Sequence, residues 1–267
     1  MPIDLDFPAL LSLLEDRSAA FREALAAAPG LDVQVPTCPE WTLYDLAQHL
    51  GQGQRFWSAI VAAGASETPP PRPTGAAPTE REALTAWFAE STEQLLAALR
   101  KAGPEAPCWG WWELAQSPRN TTGAVRRRLN ETAVHAYDAQ LAAGVAAELP
   151  REVALDSAEE FLLTCCSTTV AWPHTPAVLA FQATDGPTWQ LTLSANGAHA
   201  TRTPAAPTPA APTPTASVPE PAAPDATIRG TAAELLAVFH GRTPIEALHL
   251  EGNAELFHQL YDWDPEA

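Results

Sequence analysis

The sequence predicts an α+β multidomain protein, in which an N-terminal four-helix bundle is followed by a small α+β domain. Up to about residue 172, apolar residues recur every three or four positions, which is the period of an amphipathic helix. After residue 173, the segments VLAFQATD and WQLTLSA alternate or cluster as strands do. Residues 203–224 are mostly Pro, Ala and Thr, which predicts a flexible insert. We therefore place the domains at residues 1–172 and 173–267.

Composition limits the partners of the chain. It has 267 residues, of which 46% are apolar and 18% charged, enough for a packed core. The formal net charge is −17, whereas binding to phosphate groups needs positive charge. We therefore expect neither nucleic acid nor an anionic membrane surface to be a main partner.

Cysteine usage and hydropathy predict a cytoplasmic protein. The four cysteines, Cys38, Cys108, Cys165 and Cys166, form no C-x-x-C pair, which is typical of reduced thiols. The first residues include an early acid and no basic region, so we expect no signal peptide. No apolar run approaches the roughly 18 residues of a membrane span, so we expect no membrane segment.

The first two helices follow from periodicity and from their end signals. An apolar stripe predicts a helix at Phe7–Ala28, which the next residues, Pro29 and Gly30, end. Thr42 and Asp45 form a pair like a capping box and begin a second helix, which contains His49 and continues to about residue 63.

A capping box predicts the third helix, and the lack of a regular period predicts a loop after it. Thr79 and Glu82 form a full capping box before a helix that continues to about residue 101. The segment after this helix has no clear period and contains Trp109, Trp111 and Trp112, so we interpret it as an aromatic-rich loop. Such large aromatic side chains line a pocket mouth or, more often, fill a core.

The fourth helix carries candidate metal donors. It is predicted at Arg126–Asp138, with an apolar side that includes Leu129 and Ala133. Glu131 and His135 are four residues apart, so their side chains project from one face. A carboxylate and an imidazole held in this way can bind a divalent ion such as zinc, but a catalytic zinc usually takes three protein ligands.

His49 is the candidate for the third donor. Facing helices of a bundle can bring such side chains together, and two imidazoles with one carboxylate form the zinc site of several hydrolytic enzymes. On spacing alone the signal is weak, because a helical Glu-x3-His pattern is common and a single helical His is more often a surface or core residue.

The remaining elements complete the predicted order. A fifth helix is expected at Glu152–Val170, and the DGPT segment between the first two strands of the second domain predicts a hairpin turn. After the Pro-rich insert, the chain is predicted to form a strand, a helix, a strand and a last helix, in the segments ATIRG, TAAELLAVFHG, ALHLEG and NAELFHQLY.

Three segments carry a resemblance to a known family. They are VPTCPEWTLYDLAQHLG, with a Cys-Pro-x-Trp-Thr turn and a His seven residues after the Thr, then RRRLNETAVHAYDA, and then IRGTAAELLAVFHGRTP. Together they resemble the maleylpyruvate isomerase family of mycothiol-dependent enzymes, over nearly the whole chain apart from the Pro-rich insert. The chain departs from the family pattern at Asn130, where many relatives have His, and at Tyr137, where Trp is common.

The resemblance implies a DinB-like bundle that carries one zinc or another divalent metal on His49, Glu131 and His135, with an open position where the thiol of mycothiol binds as a thiolate. It also implies an actinobacterial cytoplasmic enzyme, a monomer or a homodimer, acting on a small electrophilic molecule. In an isomerase the thiolate adds to an activated cis double bond, the bond rotates, and elimination gives the trans isomer. In an S-transferase the adduct is kept or a leaving group departs. Arg242 matches a family arginine that binds a substrate carboxylate, so it is the candidate catalytic residue.

Other interpretations stay open from the sequence. The same three donors suit a hydrolase that uses zinc-bound water without a thiol cofactor, and the scaffold also suits a non-catalytic binding or regulatory protein. Asp138 is either a partner of the His135 imidazole or an exposed helix acid. The arginines at residues 126–128 either bind an acidic substrate or pair with acids on neighbouring helices.

Overall fold

The computed structural model describes residues 4–203 and 223–265, and within them the chain forms two compact units. The first unit comprises residues 4–113 and 117–160, and the second comprises residues 114–116 and 161 onward. The predicted insert at residues 203–224 lies almost entirely outside the described residues. The domain limits 1–172 and 173–267 stay a prediction.

The first unit is a four-helix bundle. Helix α4 packs against α1 and α2, and α3 packs against the same two helices. The core between them is built from the apolar stripes that the sequence shows, with Phe21, Leu46 and Phe88 fully buried. The bundle consists of α1 (Phe7–Ala27), α2 (Leu43–Ala63), α3 (Arg81–Ala102) and α4 (Thr121–Ala143), and it is followed by α5 (Arg151–Phe161), whose last residue, Phe161, belongs to the second unit.

The start of α2 is fixed by a short hairpin and a capping box. Strands β1 (Gln34–Val35) and β2 (Cys38–Thr42) pair antiparallel immediately before the helix. The Thr42 hydroxyl accepts a hydrogen bond from the Asp45 amide, and the Asp45 carboxylate accepts one from the Thr42 amide. The predicted start of this helix is therefore confirmed.

The predicted start of α3 at Thr79 is wrong. The helix begins at Arg81, and Glu80 occupies the N-cap position without a side-chain hydrogen bond. The guanidinium of Arg81 donates to the carbonyl oxygens of Leu25 and Ala28 at the end of α1. This tertiary contact fixes the first turn where local capping predicted an earlier start.

Two helix ends also differ from prediction. Helix α4 starts at Thr121, before the predicted limit, because the Asn120 side chain accepts a hydrogen bond from the Gly123 amide and caps it. The predicted fifth helix stops at Phe161 and passes into a π-helical turn, Leu162–Cys166. The hydroxyl of Ser167 donates to the carbonyl of Leu162 and helps to end this turn.

The second unit is a five-stranded sheet with two helices, which confirms the predicted fold class. The strand order is β5-β4-β3-β6-β7, and only the β3–β6 pair is parallel. One strand, β5, was not predicted, because its sequence GAHATRT contains no Val, Ile, Phe, Tyr or Trp, and its two threonines are the only residues typical of strands. The elements are β3 (Ala177–Ala183), β4 (Thr188–Ser194), β5 (Gly197–Thr203), β6 (Ala226–Gly230), α6 (Ala232–Phe239), β7 (His249–Gly252) and α7 (Glu255–Asp262).

Among the described helices, none combines the length and the apolar character that a membrane-spanning segment needs.

Candidate metal centre

Three of the predicted site residues lie together in the helical unit. His49 projects from α2, while Glu131 and His135 project from α4. The Nε2 atom of His49 lies 3.0 Å from Oε1 of Glu131, and Nε2 of His135 lies 3.5 Å from the same oxygen. One ligand atom from each residue lies within 4.8 Å of the other two. Two imidazoles therefore converge on one carboxylate oxygen.

The close packing of α2 and α4 makes this convergence possible. Gly53 lies four residues after His49, so it is on the same face of α2, one turn farther along. A Cβ at this position would be 3.2 Å from Nη2 of Arg128 on α4, which is tighter than ordinary contact. The absence of a side chain at Gly53 therefore gives the guanidinium room between the helices.

Asp138 fixes the orientation of the His135 imidazole. Its Oδ2 atom lies 2.9 Å from Nδ1 of His135, and its Oδ1 atom accepts a 2.6 Å hydrogen bond from the Thr37 hydroxyl. The Cys38 thiol lies 3.9 Å from Oδ2. Asp138 is fully buried, so the alternative of an exposed helix acid is wrong. With its hydrogen on Nδ1, the ring presents Nε2 towards Glu131 and His49, and loss of the proton at Nε2 would free the lone pair for a metal ion.

The charge around Glu131 keeps its carboxylate ionised. Burial would raise its pKa, but hydrogen bonds from His135 and His49 and the charges of Arg128 and Arg127 hold the pKa well below its usual value. The Nη2 atom of Arg127 lies 3.2 Å from Oε2, the oxygen that the imidazoles leave free. The ionised carboxylate is the form that binds a metal.

The surroundings of His135 raise the pKa of its imidazole. Burial lowers the pKa of the imidazole, but its hydrogen bonds to Asp138 and Glu131 and the charges of these two carboxylates raise it overall. In the metal-free protein, the ring therefore holds a proton more readily than an exposed histidine does. A metal ion at Nε2 would have to displace that proton.

Two of the three arginines at the start of this segment pair with acids on α5, which confirms the pairing interpretation for them. Arg126 lies 3.0 Å from Asp156 and 3.3 Å from Glu159, and Arg127 lies 3.2 Å from Glu160. Burial raises the pKa of Asp156 to about 6, although the charge of Arg126 opposes this shift. The third arginine, at position 128, is buried against Gly53, and its Nε and Nη2 atoms have no hydrogen-bond partner among the residues that the structure describes.

One side of the three-residue cluster is open to solvent. The side chain of His49 is 43% exposed, whereas that of His135 is 10% exposed. The centroid of the Trp41 ring lies 4.7 Å from the centroid of the His49 ring and 6.1 Å from that of the His135 ring. Trp41 therefore packs against both imidazoles, a contact that the sequence did not predict, and His49 marks the accessible side.

The three tryptophans of the aromatic-rich loop have different environments. Trp112 is buried and stacks on Trp57 of α2 at 5.6 Å, so it fills core. Trp109 also contacts Trp57, at 6.3 Å, while Trp111 is 42% exposed.

Arg242 lies in the second unit, three residues after the end of α6. Its Nη1 atom donates a 2.7 Å hydrogen bond to the carbonyl oxygen of His240. Its expected role in binding a substrate carboxylate stays a prediction.

The chemistry of the cluster fits a divalent metal ion. The donors of a tetrahedral zinc with bonds of about 2.0–2.1 Å are about 3.4 Å apart. The two nitrogen–oxygen separations, 3.0 and 3.5 Å, bracket that value. His49, Glu131 and His135 could hold the ion, and the exposed side leaves room for a further ligand.

Comparisons with known proteins place this site in context. The profile of the Mycothiol maleylpyruvate isomerase N-terminal domain matches residues 11–140, and that of the MDMPI C-terminal domain matches residues 152–259. The fold is similar to the crystal structure of the mycothiol-dependent maleylpyruvate isomerase, with a TM-score of 0.55 and 15% identity, and to that of a histidine-to-alanine mutant, with a TM-score of 0.57 and 16% identity. Each comparison covers 93% of this chain and 94% of the other. No curated protein sequence matches the chain.

Proposed function

Because the chain belongs to the mycothiol-dependent maleylpyruvate isomerase family, we propose that it is a metal- and mycothiol-dependent isomerase or S-transferase. Its substrate would be a small electrophilic molecule of the maleylpyruvate type. The observation that carries the proposal is the convergence of His49, Glu131 and His135 on one side of the bundle that is open to solvent.

The proposed ligands of the metal, zinc or another divalent ion, are His49, Glu131 and His135. When bound, the ion would supply Lewis-acid chemistry, because it favours the thiolate form of a thiol at its open position. Asp138 would keep the Nδ1 hydrogen of His135 in place, and Arg127 would hold the second oxygen of Glu131. These contacts support the proposal because they orient both ligands before the ion arrives.

The proposed isomerisation regenerates its thiol. The sulfur adds to one carbon of an activated cis double bond, the resulting single bond rotates, and departure of the same sulfur gives the trans isomer. In S-transfer the carbon–sulfur bond is kept, and either the neighbouring carbon takes a proton from the solvent or a leaving group departs. Trp41 packs against both imidazoles and the side chain of His49 is 43% exposed, so substrate and thiol would approach from the exposed side of His49.

Arg242 is our proposed anchor for a substrate carboxylate. A guanidinium can form two parallel hydrogen bonds with a carboxylate. The hydrogen bond from its Nη1 atom to the carbonyl of His240 supports this role, because it limits the directions in which the guanidinium can point.

The cellular setting is part of the same proposal. None of the four cysteines forms a disulfide, which is consistent with a reducing cytoplasm. Since mycothiol is the cosubstrate that the family implies, we propose an actinobacterial host.

The test is a maleylpyruvate assay with the zinc-loaded protein, with and without mycothiol, alongside His49→Ala and the control His174→Ala. The control removes an exposed histidine of the second unit. We expect the conversion of the cis acid to depend on mycothiol, to survive in His174→Ala and to be lost in His49→Ala. Mass spectrometry of the products separates isomerisation from S-transfer. Turnover of this or a related electrophile that is indifferent to mycothiol would contradict the proposal and favour a hydrolase.

A further inference from the structure

The second unit contains a cavity of about 630 Å³. Its floor is the sheet, with Phe181 from β3 and Ile228 from β6, and its sides include Phe239 of α6 and Phe257 of α7. The described residues that line it all belong to the second unit, so it is separate from the three-donor cluster of the helical unit. Sites for small molecules have volumes of roughly 300–1,000 Å³, so the cavity is large enough for a ligand.

The aromatic walls of this cavity hold one another in place. The rings of Phe181 and Phe239 are 5.2 Å apart and nearly perpendicular, and Phe181 and Phe257 have the same arrangement at 5.6 Å. Phe161 stacks on Phe239 at 5.2 Å with an angle of 11° between the ring planes. Edge-to-face and stacked contacts are preferred aromatic geometries, so the cavity is formed before any ligand enters.

The charges at the cavity define the chemistry of its ligand. Among the described lining residues there is no Lys or Arg. The ionisable pair Glu246 and His258 lies at the rim, 3.4 Å apart, with side chains that are 62% and 47% exposed. A carboxylate or phosphate ligand would find no fixed cation inside, whereas an apolar ring would contact aromatic faces on several sides.

We propose that this cavity is a second binding site, which takes a neutral, mainly apolar molecule with fused or linked rings. The rings would lie against Phe181, Phe239 and Phe257, and a single polar group would lie at the rim beside Glu246 and His258. This ligand differs in class from the small acid of the proposed reaction. The two sites share none of the residues that the structure describes, so this inference does not depend on the metal centre.

Two adjacent thiols provide a local reporter of occupancy. Cys165 and Cys166 are in the π-helical turn, are half-buried and line the cavity. Cys38 is also half-buried but lies in the helical unit, so it serves as an internal control. A ligand in the cavity should slow alkylation of the two adjacent thiols and leave the alkylation of Cys38 unchanged.

The experiment uses Nile red, a neutral polycyclic dye, with the full-length protein. We expect saturable fluorescence enhancement with one dye per chain. We also expect severalfold slower alkylation of Cys165 and Cys166 by N-ethylmaleimide, read by peptide mass spectrometry. Equal alkylation rates with and without saturating dye, or no saturable binding at all, would overturn the proposal.

Matched variants locate the binding. Val238→Phe places a larger side chain of α6 in the cavity and should abolish dye binding. Thr243→Phe, in the loop after α6, should have the same effect and replaces the first variant if that variant does not fold. Val178→Phe is the control, because Val178 is half-buried on β3 and its side chain alternates to the sheet face opposite Phe181. Binding should be retained in Val178→Phe and in His49→Ala.

Three further outcomes would overturn the inference. Unchanged binding in both cavity-filling variants would place the dye elsewhere. Loss of binding in His49→Ala would place it at the three-donor cluster. Dye binding that falls as the protein self-associates at higher concentration would mean that a second copy of the chain covers the cavity.

Discussion

The three-donor cluster of the helical unit and the cavity of the second unit are built in opposite ways. At the cluster, polar groups are held by paired contacts, so that Glu131 meets two imidazoles and Arg127. The cavity is held by aromatic rings, with the ionisable pair Glu246 and His258 at its exposed rim. Metal binding at the cluster should therefore depend on a few specific atoms, whereas the shape of the cavity depends on the packing of many side chains together. Single-atom changes should therefore damage the first and leave the second intact.

The substitution Glu131→Gln should have the largest effect. It keeps the shape of the side chain but removes the charge that His49 and His135 share as an acceptor. Changes that only affect residues behind a metal ligand typically weaken metal binding by about 10–100-fold, so loss of this donor should weaken it by more than about 100-fold. Competition with a chromogenic chelator measures the affinity.

Glu159→Gln is the matched control for this change. Glu159 also pairs with an arginine, and its side chain is 16% exposed, compared with 19% for Glu131. The control should bind zinc as the wild type does, and both variants should bind Nile red normally. Equal zinc affinity in Glu131→Gln and the wild type would break the distinction between the two sites.

Asp138→Asn should have an intermediate effect. It removes the charge that holds the Nδ1 hydrogen of His135, and losses of this kind lower metal affinity by about 10–100-fold. Thr37→Val removes only the hydroxyl that donates to the other oxygen of Asp138, so its effect should be smaller. Isothermal titration with zinc compares the two. If Thr37→Val lowers zinc affinity as much as Asp138→Asn does, the Thr37 hydroxyl, and not the charge of Asp138, determines the orientation of the His135 imidazole.

Asp156→Asn should have the smallest effect, on stability and not on metal binding. Burial raises the pKa of Asp156 to about 6 in the folded protein, above its usual value of about 3.9 in unfolded chains. The folded state therefore holds the proton more tightly, and the carboxyl contributes less stability as pH rises through 6. Between pH 5.5 and 7.5, the difference in unfolding free energy between variant and wild type should move by roughly 1 kcal/mol in favour of the variant.

Urea unfolding of the metal-free proteins at several pH values measures this shift. A difference that does not change with pH would mean that the Arg126 contact fully compensates the buried carboxylate. A change in the zinc affinity of Asp156→Asn would mean that α5 also contributes to metal binding, which contradicts the limits of the three-donor cluster.

Local patterns in the sequence predicted part of the helical unit and of the cluster. The i, i+4 spacing placed Glu131 and His135 on one face, and the capping pair at Thr42 fixed the start of α2. The proximity of His49 followed only from the family resemblance, since helical period does not say which helices are neighbours. Thr37 is 101 residues from Asp138, and no spacing rule connects them.

The errors have physical causes of the same kind. The cap at Thr79 was overridden by the contacts of Arg81 with the end of α1, which are tertiary. Strand β5 is recruited by its pairing with β4, despite a composition that is weak for strands. The cavity was not predicted, because its lining comes from several strands, helices and loops that are distant in sequence.

The most direct test is metal analysis of the purified and zinc-reloaded protein, combined with X-ray absorption spectroscopy of the bound ion. We expect one zinc per chain, coordinated by two imidazole nitrogens and at least one carboxylate oxygen, and we expect its loss in His49→Ala but not in His174→Ala. A wild-type protein that cannot be loaded with zinc or any other divalent ion would contradict the proposal that His49, Glu131 and His135 form a metal centre.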